Sequence, residues 1–279
     1  MIVIRFKGGI GNQMFQYAFG RFLSLKYKVP LYFNKSYYNH PQCNRTFDLD
    51  IFRLGENILQ EDKIEHYSNV KEVYELQEDH FHFNEEALHV LDEDDPSSSI
   101  LITEGYWQSY KYFESITAII REDFQFRTVL SGKWLGLAEK IRSVNAVMIN
   151  VRRGDYLNNL ELHGVVSAEY ISRSILFYDH TITDPFYFVF SDDIPWCKAH
   201  INQSKNVFFV TEEYYDAKFQ FYLQLMINCK HFIISNSSFA WWAAWLCQYE
   251  GKTVIYPRQW FAVENIDTKD LTPPSWIAL

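Results

Sequence analysis

The first part of this chain begins with a short apolar run. A glycine-rich segment follows it, and apolar residues then recur at helical spacing. Residues 2–6 form an apolar run that predicts a strand, and residues 7–12 interrupt it with three glycines. The residues that then recur at helical spacing are Met14, Tyr17, Ala18, Phe22 and Leu25. A further strand is predicted at 31–33. The order strand, glycine turn, helix, strand predicts the opening of a doubly wound α/β unit.

A second block of the same kind begins at residues 146–151, a nearly continuous apolar run typical of a strand buried on both faces. Further strands are predicted at 186–190, 207–210, 232–235 and 253–256, with helices near 169–178, 214–228 and 238–248. We therefore predict an α/β protein with two lobes of Rossmann type and a cleft between them. The first lobe is predicted to span residues 1–140 and the second 141–279.

Residues 39–99 are less regular and are predicted as an elaboration of the first lobe. Between Glu61 and Asp95 there are thirteen acidic residues and two lysines, within a chain of net charge -9. Such a segment is typical of a solvated face. The rest of the chain is therefore close to neutral, which allows an anionic ligand, whereas the acidic total argues against a nucleic-acid partner.

Composition and cysteine usage indicate a globular protein of a reducing compartment. Hydrophobic residues make up 48% of the chain, enough for a sizeable core. Cys43, Cys197, Cys229 and Cys247 form no CxxC pair, and the last three lie in apolar surroundings, so we predict buried thiols. No apolar run reaches about 18 residues, and the N-terminal run is too short for a signal peptide. We expect a cytoplasmic protein with at most peripheral membrane contact.

Four polar segments lie at the ends of predicted strands or the starts of predicted helices, where ligands bind in open α/β sheets. The first is the glycine turn. Its backbone amides can approach a phosphate or a sugar closely, although the same glycines would also serve a plain tight turn. Asn12 and Gln13 at its mouth favour a ligand, and Met14 stands where a dinucleotide fingerprint has its third glycine.

The second segment places Arg152 and Arg153 directly after the buried strand. Guanidinium groups suit bidentate contacts with phosphate, and two of them are costly to place without partners. An ion pair, for example between Arg153 and Asp155, is the alternative for one arginine. Because side chains alternate along an extended chain, we expect one arginine to touch phosphate and the other to orient Asp155.

The third and fourth segments begin predicted helices. Asp192 and Asp193 could bind Mg²⁺, accept hydrogen bonds from a ribose or guanine, or cap the helix near Ile194, and the lack of further clustered carboxylates disfavours a metal. Ser237 or Ser238 could cap the next helix or present donors to a phosphate. The tryptophans of that helix, at 241, 242 and 245, are predicted to be core residues.

Together these segments resemble the bacterial α-1,2-fucosyltransferases of glycosyltransferase family 11. The resemblance rests on Gly-Gly-Ile-Gly-Asn-Gln-Met-Phe-Gln-Tyr at 8–17, Val-Arg-Arg-Gly-Asp-Tyr at 151–156, Phe-Ser-Asp-Asp-Ile-Pro-Trp-Cys-Lys at 190–198 and Ser-Asn-Ser-Ser-Phe-Ala-Trp-Trp at 235–242. It covers essentially the whole chain. It implies a GT-B fold, a GDP-β-L-fucose donor, no metal or other cofactor, and inverting transfer to the 2-hydroxyl of a terminal β-galactoside in surface-polysaccharide or O-antigen synthesis.

The resemblance also implies roles for particular residues. An arginine of the pair would bind the β-phosphate, an aspartate of the pair would recognise guanine, and Asn12 would face the donor across the cleft. The full set of implied donor contacts is Gly11, Asn12, Gln13, Asn150, Arg152, Arg153, Asp192, Asp193, Asn236, Ser237, Ser238 and Phe239. Asn150 stands where the family motif usually begins with histidine, and its amide can still donate and accept hydrogen bonds.

The implied chemistry leaves the general base open. The arginines would stabilise the charge that develops on GDP, and the acceptor hydroxyl would attack from the opposite face. Asp155, Glu161 and His163 follow the arginines and are the candidate bases. The partners implied are GDP-fucose and a galactose-terminated oligosaccharide. The rival hypotheses are a fucosyltransferase of another linkage, such as α-1,6, and a non-catalytic carbohydrate- or nucleotide-binding protein.

Overall fold

The computed structural model describes residues 1–54, 58–59, 70–201, 206–264 and 266–279. Their contacts divide the chain into two compact units. Unit 1 comprises Met1–Arg127 with Asp267–Pro273, and unit 2 comprises Thr128–Ile266 with Pro274–Leu279. Each unit contains one sheet, and every pair of neighbouring strands in both sheets is parallel. The predicted α/β class with two Rossmann-type lobes is confirmed.

Unit 1 has a five-stranded sheet in the order β3-β2-β1-β5-β4. Its strands are β1 (Ile2–Arg5), β2 (Leu31–Asn34), β3 (Ile58–Leu59), β4 (Glu72–Gln77) and β5 (Ser99–Glu104). Its α-helices are α1 (Ile10–Tyr27) and α2 (Thr117–Asp123), and short 3₁₀ helices cover Ser36–Asn39, Leu49–Ile51, Glu85–Leu88, Tyr110–Tyr112 and Glu114–Ile116. The glycine turn therefore joins β1 to α1, as predicted.

Strand β4 corrects the prediction of an irregular acidic segment. It pairs with β5 along its whole length at the edge of the sheet, and most of its side chains are exposed or half-buried. Glu72 and Glu75 are exposed, which suits an edge strand because charges there discourage pairing with other chains. Residues 61–69 of the same acidic segment lie outside the described residues. The solvated-face interpretation holds for these two glutamates, but it concealed a strand.

Unit 2 has a six-stranded sheet in the order β11-β10-β9-β6-β7-β8. Its strands are β6 (Asn145–Val151), β7 (Pro185–Ser191), β8 (Val207–Val210), β9 (His231–Ile233), β10 (Val254–Tyr256) and β11 (Ile277–Ala278). Its α-helices are α3 (Gly132–Ser143), α4 (Ala168–Thr181), α5 (Ile194–His200), α6 (Gln220–Ile227) and α7 (Ser238–Leu246), with 3₁₀ helices at Asp155–Asn158 and Glu212–Tyr214.

The hydrophobic pattern located the core of unit 2 well. Strand β6 is buried from Ala146 to Val151, and Trp241 and Trp242 of α7 are fully buried, so they are core residues as predicted. Cys197, Cys229 and Cys247 are buried free thiols, also as predicted. None of the helices in the described part of the chain is long and apolar enough to cross a membrane.

Helix α6 starts later than the periodicity predicted. The expected start was near residue 214, but the helix begins at Gln220. Asp216 accepts hydrogen bonds from the backbone amides of Gln220 at 3.0 Å and Phe221 at 3.0 Å, which satisfies donors that the first turn of a helix leaves unpaired. Phe219, directly before the helix, has a left-handed φ of +53°, so the helix begins after this residue and the local hydrogen bonds to Asp216 support its first turn.

Candidate active site

The register of three central strands of unit 2 brings the predicted site segments together. Val151 at the end of β6 lies opposite Ser191 at the end of β7, and Ile149 lies opposite Ile233 at the end of β9. Residues that follow these strands therefore leave the sheet at one edge. This edge is the carboxyl edge, where open α/β sheets bind ligands.

Arg152 is held by two carboxylates. Its Nη2 lies 2.5 Å from Asp155 Oδ1, and its Nη1 lies 2.9 Å from Asp192 Oδ2. The guanidinium also lies over the ring of Tyr156, 5.6 Å from the centroid. The ion pair with Asp155, given as an alternative for Arg153, is made by Arg152 instead. An ion pair was expected for one arginine, but both arginines are paired with carboxylates.

Arg153 has different partners. Its Nε donates to Asp193 Oδ2 at 3.0 Å, its backbone amide donates to Asp192 Oδ1 at 2.9 Å, and its guanidinium lies 4.3 Å from the ring centroid of Trp196. Among the described residues, neither Nη group of Arg153 has a hydrogen-bond partner. Asp193 thus fixes the guanidinium of Arg153 through Nε, and the N–H donors of its two Nη groups stay available.

The aspartate pair holds both arginines and also starts a helix. Asp193 accepts the backbone amide of Trp196 at 3.0 Å and is the N-cap of α5, so the predicted cap is confirmed. Gly154 makes the approach of Asp192 possible, because a Cβ at that position would lie 2.7 Å from Asp192 Oδ2. Within the described ranges, no group of three or more His, Cys, Asp or Glu side chains could hold a metal ion.

Asn150 connects three strand ends. Its Oδ1 accepts the hydroxyl of Ser235 at 2.5 Å, and its Nδ2 donates to the carbonyl of Phe190 at 3.4 Å. Asn150 and Ser235 are both buried. Both ends of this amide are therefore engaged within the protein, and the expected contact of Asn150 with the donor stays a prediction.

Asn236 joins the loop after β6 to the start of α7. Its side-chain Nδ2 donates to the backbone carbonyls of His163 at 2.7 Å and Trp260 at 3.0 Å. The backbone carbonyl of Asn236 accepts the hydroxyl of Tyr156 at 3.0 Å. The Asn236 side chain is buried, and its Oδ1 has no hydrogen-bond partner in the described structure. The role of Asn236 that the geometry shows is to hold these loops together.

The N-terminus of α7 keeps its capacity to bind an anion. Ser237 is the N-cap residue, and its side chain makes no capping hydrogen bond. Ser238 and Phe239 form the first turn, and both are half-buried. Backbone amides at a helix start carry partial positive charge and are donors for a phosphate. This helix start lies at the same carboxyl edge as the arginines.

The three candidate bases differ in their surroundings. Asp155 is ion-paired with Arg152, whereas Glu161 is exposed on the following loop. His163 is half-buried and stacks on Tyr156 with 4.4 Å between ring centroids. Burial lowers the pKa of His163, Asp155 opposes this effect and Arg152 adds to it. His163 therefore combines a neutral imidazole at neutral pH with a fixed ring.

The glycine turn of unit 1 is held together by its own side chains. Gly8 has a φ of +78°, and a Cβ there would lie 2.6 Å from Asn12 Nδ2. Gln13 is fully buried: its Oε1 accepts the amide of Asp48 at 2.9 Å, and its Nε2 donates to the carbonyls of Gly8 at 3.1 Å and Thr46 at 2.8 Å. Gln13 therefore joins the glycine turn to Thr46 and Asp48, and its expected contact with the donor stays a prediction.

Gly11 and Asn12 occupy the first turn of α1. Gly11 is buried, and Asn12 is half-buried with its Oδ1 accepting the side-chain amide of Gln108 at 2.9 Å. Their expected contacts with the donor stay predictions.

Several residues of the arginine cluster were not found from the sequence. Trp196 contacts Arg153, and Tyr156 contacts both Arg152 and His163. Tyr222 accepts the backbone amide of Ser191 at 2.9 Å, and Tyr215 donates to the Ser191 carbonyl at 2.6 Å. Trp196 could have been found, because it occupies the first turn of the helix that Asp193 caps.

These features define a class of protein. Two α/β units with parallel sheets, one with an arginine pair and an uncapped helix start at its carboxyl edge, are the features of a GT-B glycosyltransferase. The match to the family model described as "Glycosyl transferase family 11" covers residues 1–279. The chain belongs to this family.

Relatives and solved structures agree with this class. The chain is 30% identical to an α-1,2-colitosyltransferase of Escherichia coli, over 100% of this chain and 99% of the relative. It is also 30% identical to the O-antigen biosynthesis glycosyltransferase WbnK of Escherichia coli, over 98% of each. It is 23% identical to galactoside α-(1,2)-fucosyltransferase 2 of Bos taurus, over 98% of this chain and 77% of the relative.

The fold is similar to that of NodZ α-1,6-fucosyltransferase soaked with GDP-fucose. The TM-score is 0.56 at 14% identity, over 88% of this chain and 92% of the other. The fold is also similar to that of POFUT1 in complex with GDP-fucose, with a TM-score of 0.55 at 12% identity, over 91% and 97%. At these identities the likeness concerns the fold alone.

Proposed function

We propose that this protein transfers L-fucose from GDP-β-L-fucose to the 2-hydroxyl of a terminal β-galactoside, with inversion to an α-1,2 linkage. The observation that carries the proposal is Arg153, which Asp193 and Trp196 fix in place while its Nη donors face no partner among the described residues. Membership of glycosyl transferase family 11 and α-1,2 transfer by named relatives support it.

The mechanism follows from the charge that develops on the leaving group. Cleavage of the bond between fucose C1 and oxygen leaves negative charge on the β-phosphate of GDP. In this proposal Arg153 and the backbone amides of Ser238 and Phe239 stabilise that charge, without a metal ion or another cofactor. The amide of Ser237 donates to the carbonyl of Ser235 at 2.8 Å and is therefore engaged within the protein. Arg152 has the supporting task of holding Asp155 and Asp192 in place.

Guanine recognition is proposed for Asp192. Its two oxygens already accept from Arg152 and from the Arg153 backbone, but each carboxylate oxygen has a second lone pair. Asp192 can therefore accept an N–H of guanine and still hold the arginines. Asp193 has less capacity, because it holds both Arg153 and the start of α5.

The acceptor is proposed to lose its proton to His163. The fucosyl ring gains positive character as the leaving group departs, and the acceptor hydroxyl attacks from the opposite face. His163 is neutral at neutral pH because burial lowers its pKa, whereas the Asp155 carboxylate is ion-paired with Arg152. Asn12 of the glycine turn stays a proposed substrate contact. The reaction is proposed to occur in the cytoplasm, as part of O-antigen synthesis.

Transfer in the presence of a chelator tests the proposal. Purified protein is incubated with GDP-fucose, excess EDTA and either lactose or galactose linked β-1,3 or β-1,4 to a hexosamine. The expected product carries fucose in α-1,2 linkage. Loss of turnover on chelation that Mn²⁺ restores would contradict the metal-free mechanism, and a 1,6-linked product would favour the rival linkage. Binding of GDP without turnover on any acceptor would favour a non-catalytic protein.

A second candidate function is colitosyl transfer. It is favoured by the 30% identity over the whole chain to the Escherichia coli α-1,2-colitosyltransferase. Colitose is the 3-deoxy counterpart of L-fucose, so the two donors differ by one hydroxyl group. Comparison of kcat/KM for the two GDP-sugars on the same acceptor decides between them, because a site that binds the 3-hydroxyl strongly rejects the donor that lacks it.

A further inference from the structure

Unit 1 contains a strained turn directly after β5. Trp107 has a φ of +54°, a left-handed conformation that is uncommon for residues other than glycine. Its ring is fully buried and stacks on Phe19 of α1 at 4.2 Å between ring centroids. The amide of Ser109 donates to the Trp107 carbonyl at 2.8 Å, which closes a three-residue turn around Gln108. Such a backbone persists only where its surroundings hold it.

Glu78, which directly follows β4, holds the turn from one side. Its Oε2 accepts the backbone amide of Tyr106 at 2.6 Å, and its Oε1 accepts that of Trp107 at 2.9 Å. The contact is close, because a Cβ at Gly105 would lie 2.4 Å from the Glu78 Cβ. The carboxylate therefore uses both oxygens on the strained segment.

The other side of the turn is anchored as well. Ser109 is fully buried, and its hydroxyl donates to the carbonyl of Asp270 at 2.7 Å. With both sides held, the apex residue Gln108 is presented to the glycine turn. Its Nε2 donates to Asn12 Oδ1 at 2.9 Å, and this contact sets which end of the Asn12 amide is the acceptor.

We propose that Glu78 is a positioning residue for the transfer reaction, because it holds the Tyr106–Trp107 backbone in the conformation that places Gln108 on Asn12. The proposal rests on the proposed function, in which Asn12 contacts a substrate. Glu78 itself touches two backbone amides and no reacting atom. Nothing in the sequence pattern signals this role, since Glu78 lies in the acidic segment among residues that are mostly exposed.

The electrostatics of Glu78 agree with a specific role. Burial raises its pKa to about 7, while the two backbone amides, Lys7 and His80 oppose the rise. Burial of a carboxylate costs free energy, so its presence here indicates that the hydrogen bonds to its two oxygens are needed. Assays at pH 8 lie above this pKa and therefore examine the charged form.

The test is a double-mutant cycle between Glu78→Gln and Asn12→Ala. Glutamine keeps the shape of Glu78 but places an NH₂ group against one of the two amides, so the turn must shift. We expect kcat at pH 8 to fall about tenfold or more, with little change in GDP binding, because small displacements of positioning residues act on the reaction step. In the Asn12→Ala background, Glu78→Gln should cost no further activity.

Controls and contrary outcomes separate the inference from the proposed function. Glu85→Gln, which removes an exposed carboxylate of the same segment, should leave kcat unchanged. If Asn12→Ala has full activity, the proposed contact of the glycine turn with a substrate is contradicted. The positioning role of Glu78 is then rejected as well. If Asn12→Ala is impaired but Glu78→Gln adds its own full loss, only the positioning role is overturned.

A second variant, Gly105→Ala, keeps the proposal testable if Glu78→Gln does not fold. Gly105→Ala forces the Glu78 side chain to move without changing its charge, and it should reproduce both the fall in kcat and the dependence on Asn12. Circular dichroism and thermal unfolding show whether each variant is folded. If neither variant folds, Glu78 is a residue for folding and the positioning role is rejected.

Discussion

Arg152 and Arg153 are neighbours in the chain, yet their surroundings assign them different tasks. Arg152 uses both terminal nitrogens on Asp155 and Asp192, whereas Arg153 is held through Nε and through the face of Trp196. Adjacent side chains on an extended backbone leave in opposite directions, so one arginine was expected to touch phosphate and the other to orient Asp155. The sequence showed that two guanidiniums follow a buried strand, but only the fold showed that the Nη groups of Arg153 have no hydrogen-bond partner among the described residues.

Replacement of Arg153 by lysine tests this division of tasks. Lysine keeps the charge but cannot donate through Nε to Asp193 and present two further donors in one plane. We expect kcat/KM for the GDP-sugar to fall about a hundredfold or more, the range seen for loss of one donor to a developing anion. Arg173→Lys, on the exposed side of α4, is the matched control and should have wild-type kinetics. Wild-type kinetics in the Arg153 variant would contradict the phosphate role.

The pH dependence of transfer tests His163. Its pKa is lowered from 6.5 by burial, so the neutral, active form predominates at pH 7. The rate should therefore be level at neutral pH and fall about tenfold per unit below the pKa of His163, which lies under 6.5. His163→Gln should be slow, without this limb of the profile. His180→Gln, an exposed histidine of α4, should keep the profile, and an unchanged profile in His163→Gln would exclude the base role.

At the scale of elements, hydrophobic periodicity was a good guide to the central strands of unit 2, but it missed strand β5 of unit 1, which lies between β1 and β4. The central strand β6 is nearly continuous in apolar residues and was predicted within one residue. The edge strand β4 was missed, because its exposed glutamates give the pattern of a solvated segment. The start of α6 was misplaced because Asp216, not the periodicity, caps it. The hydrophobic pattern of a segment thus indicates whether its residues are buried more reliably than it indicates which strands pair.

Glycine positions provide a test of packing between elements. Gly20 of α1 lies against β1, and a Cβ there would be 2.4 Å from Ile4 Cδ1 in a fully buried side chain. Gly20→Ala should therefore lower the free energy of unfolding by about 1 to 3 kcal/mol through overpacking. Gly136 of α3 has open space around it, so Gly136→Ala should raise the free energy of unfolding by about 0.5 to 1 kcal/mol. Urea unfolding measures both, and equal effects would contradict the packing argument.

At the scale of the whole molecule, the chain consists of two α/β units, and the described parts of both end their strands at polar segments. Unit 2 contains Arg152 and Arg153, and unit 1 contains the glycine turn and the hydrogen bonds from the Tyr106 and Trp107 amides to Glu78. Most of the formal negative charge belongs to the acidic segment of unit 1, so the net charge of -9 does not oppose an anionic ligand in unit 2.

Thermal unfolding with GDP tests the ligand of unit 2. GDP in EDTA should raise the unfolding temperature, because a ligand at a hundred times its Kd stabilises the native state by about 2.7 kcal/mol. Addition of Mg²⁺ should add little, and Arg153→Ala should remove most of the effect. A shift that appears only with Mg²⁺ would contradict metal-free binding.

The sequence by itself determined the α/β class, most of the buried strands of unit 2 and the polar segments that follow them, because these depend on local periodicity and on motifs within about ten residues. It also showed the resemblance to glycosyltransferase family 11, and the family match confirmed this part of the resemblance.

The tertiary structure alone decided the pairings within the site. Arg153 meets Asp193 across 40 residues, and Asn150 meets Ser235 across 85. Both pairings depend on the register of parallel strands and therefore on the whole sheet. The same holds for Gln13, whose hydrogen bonds reach Thr46 and Asp48, and for Glu78, whose contacts with the turn after β5 require β4 to lie beside β5.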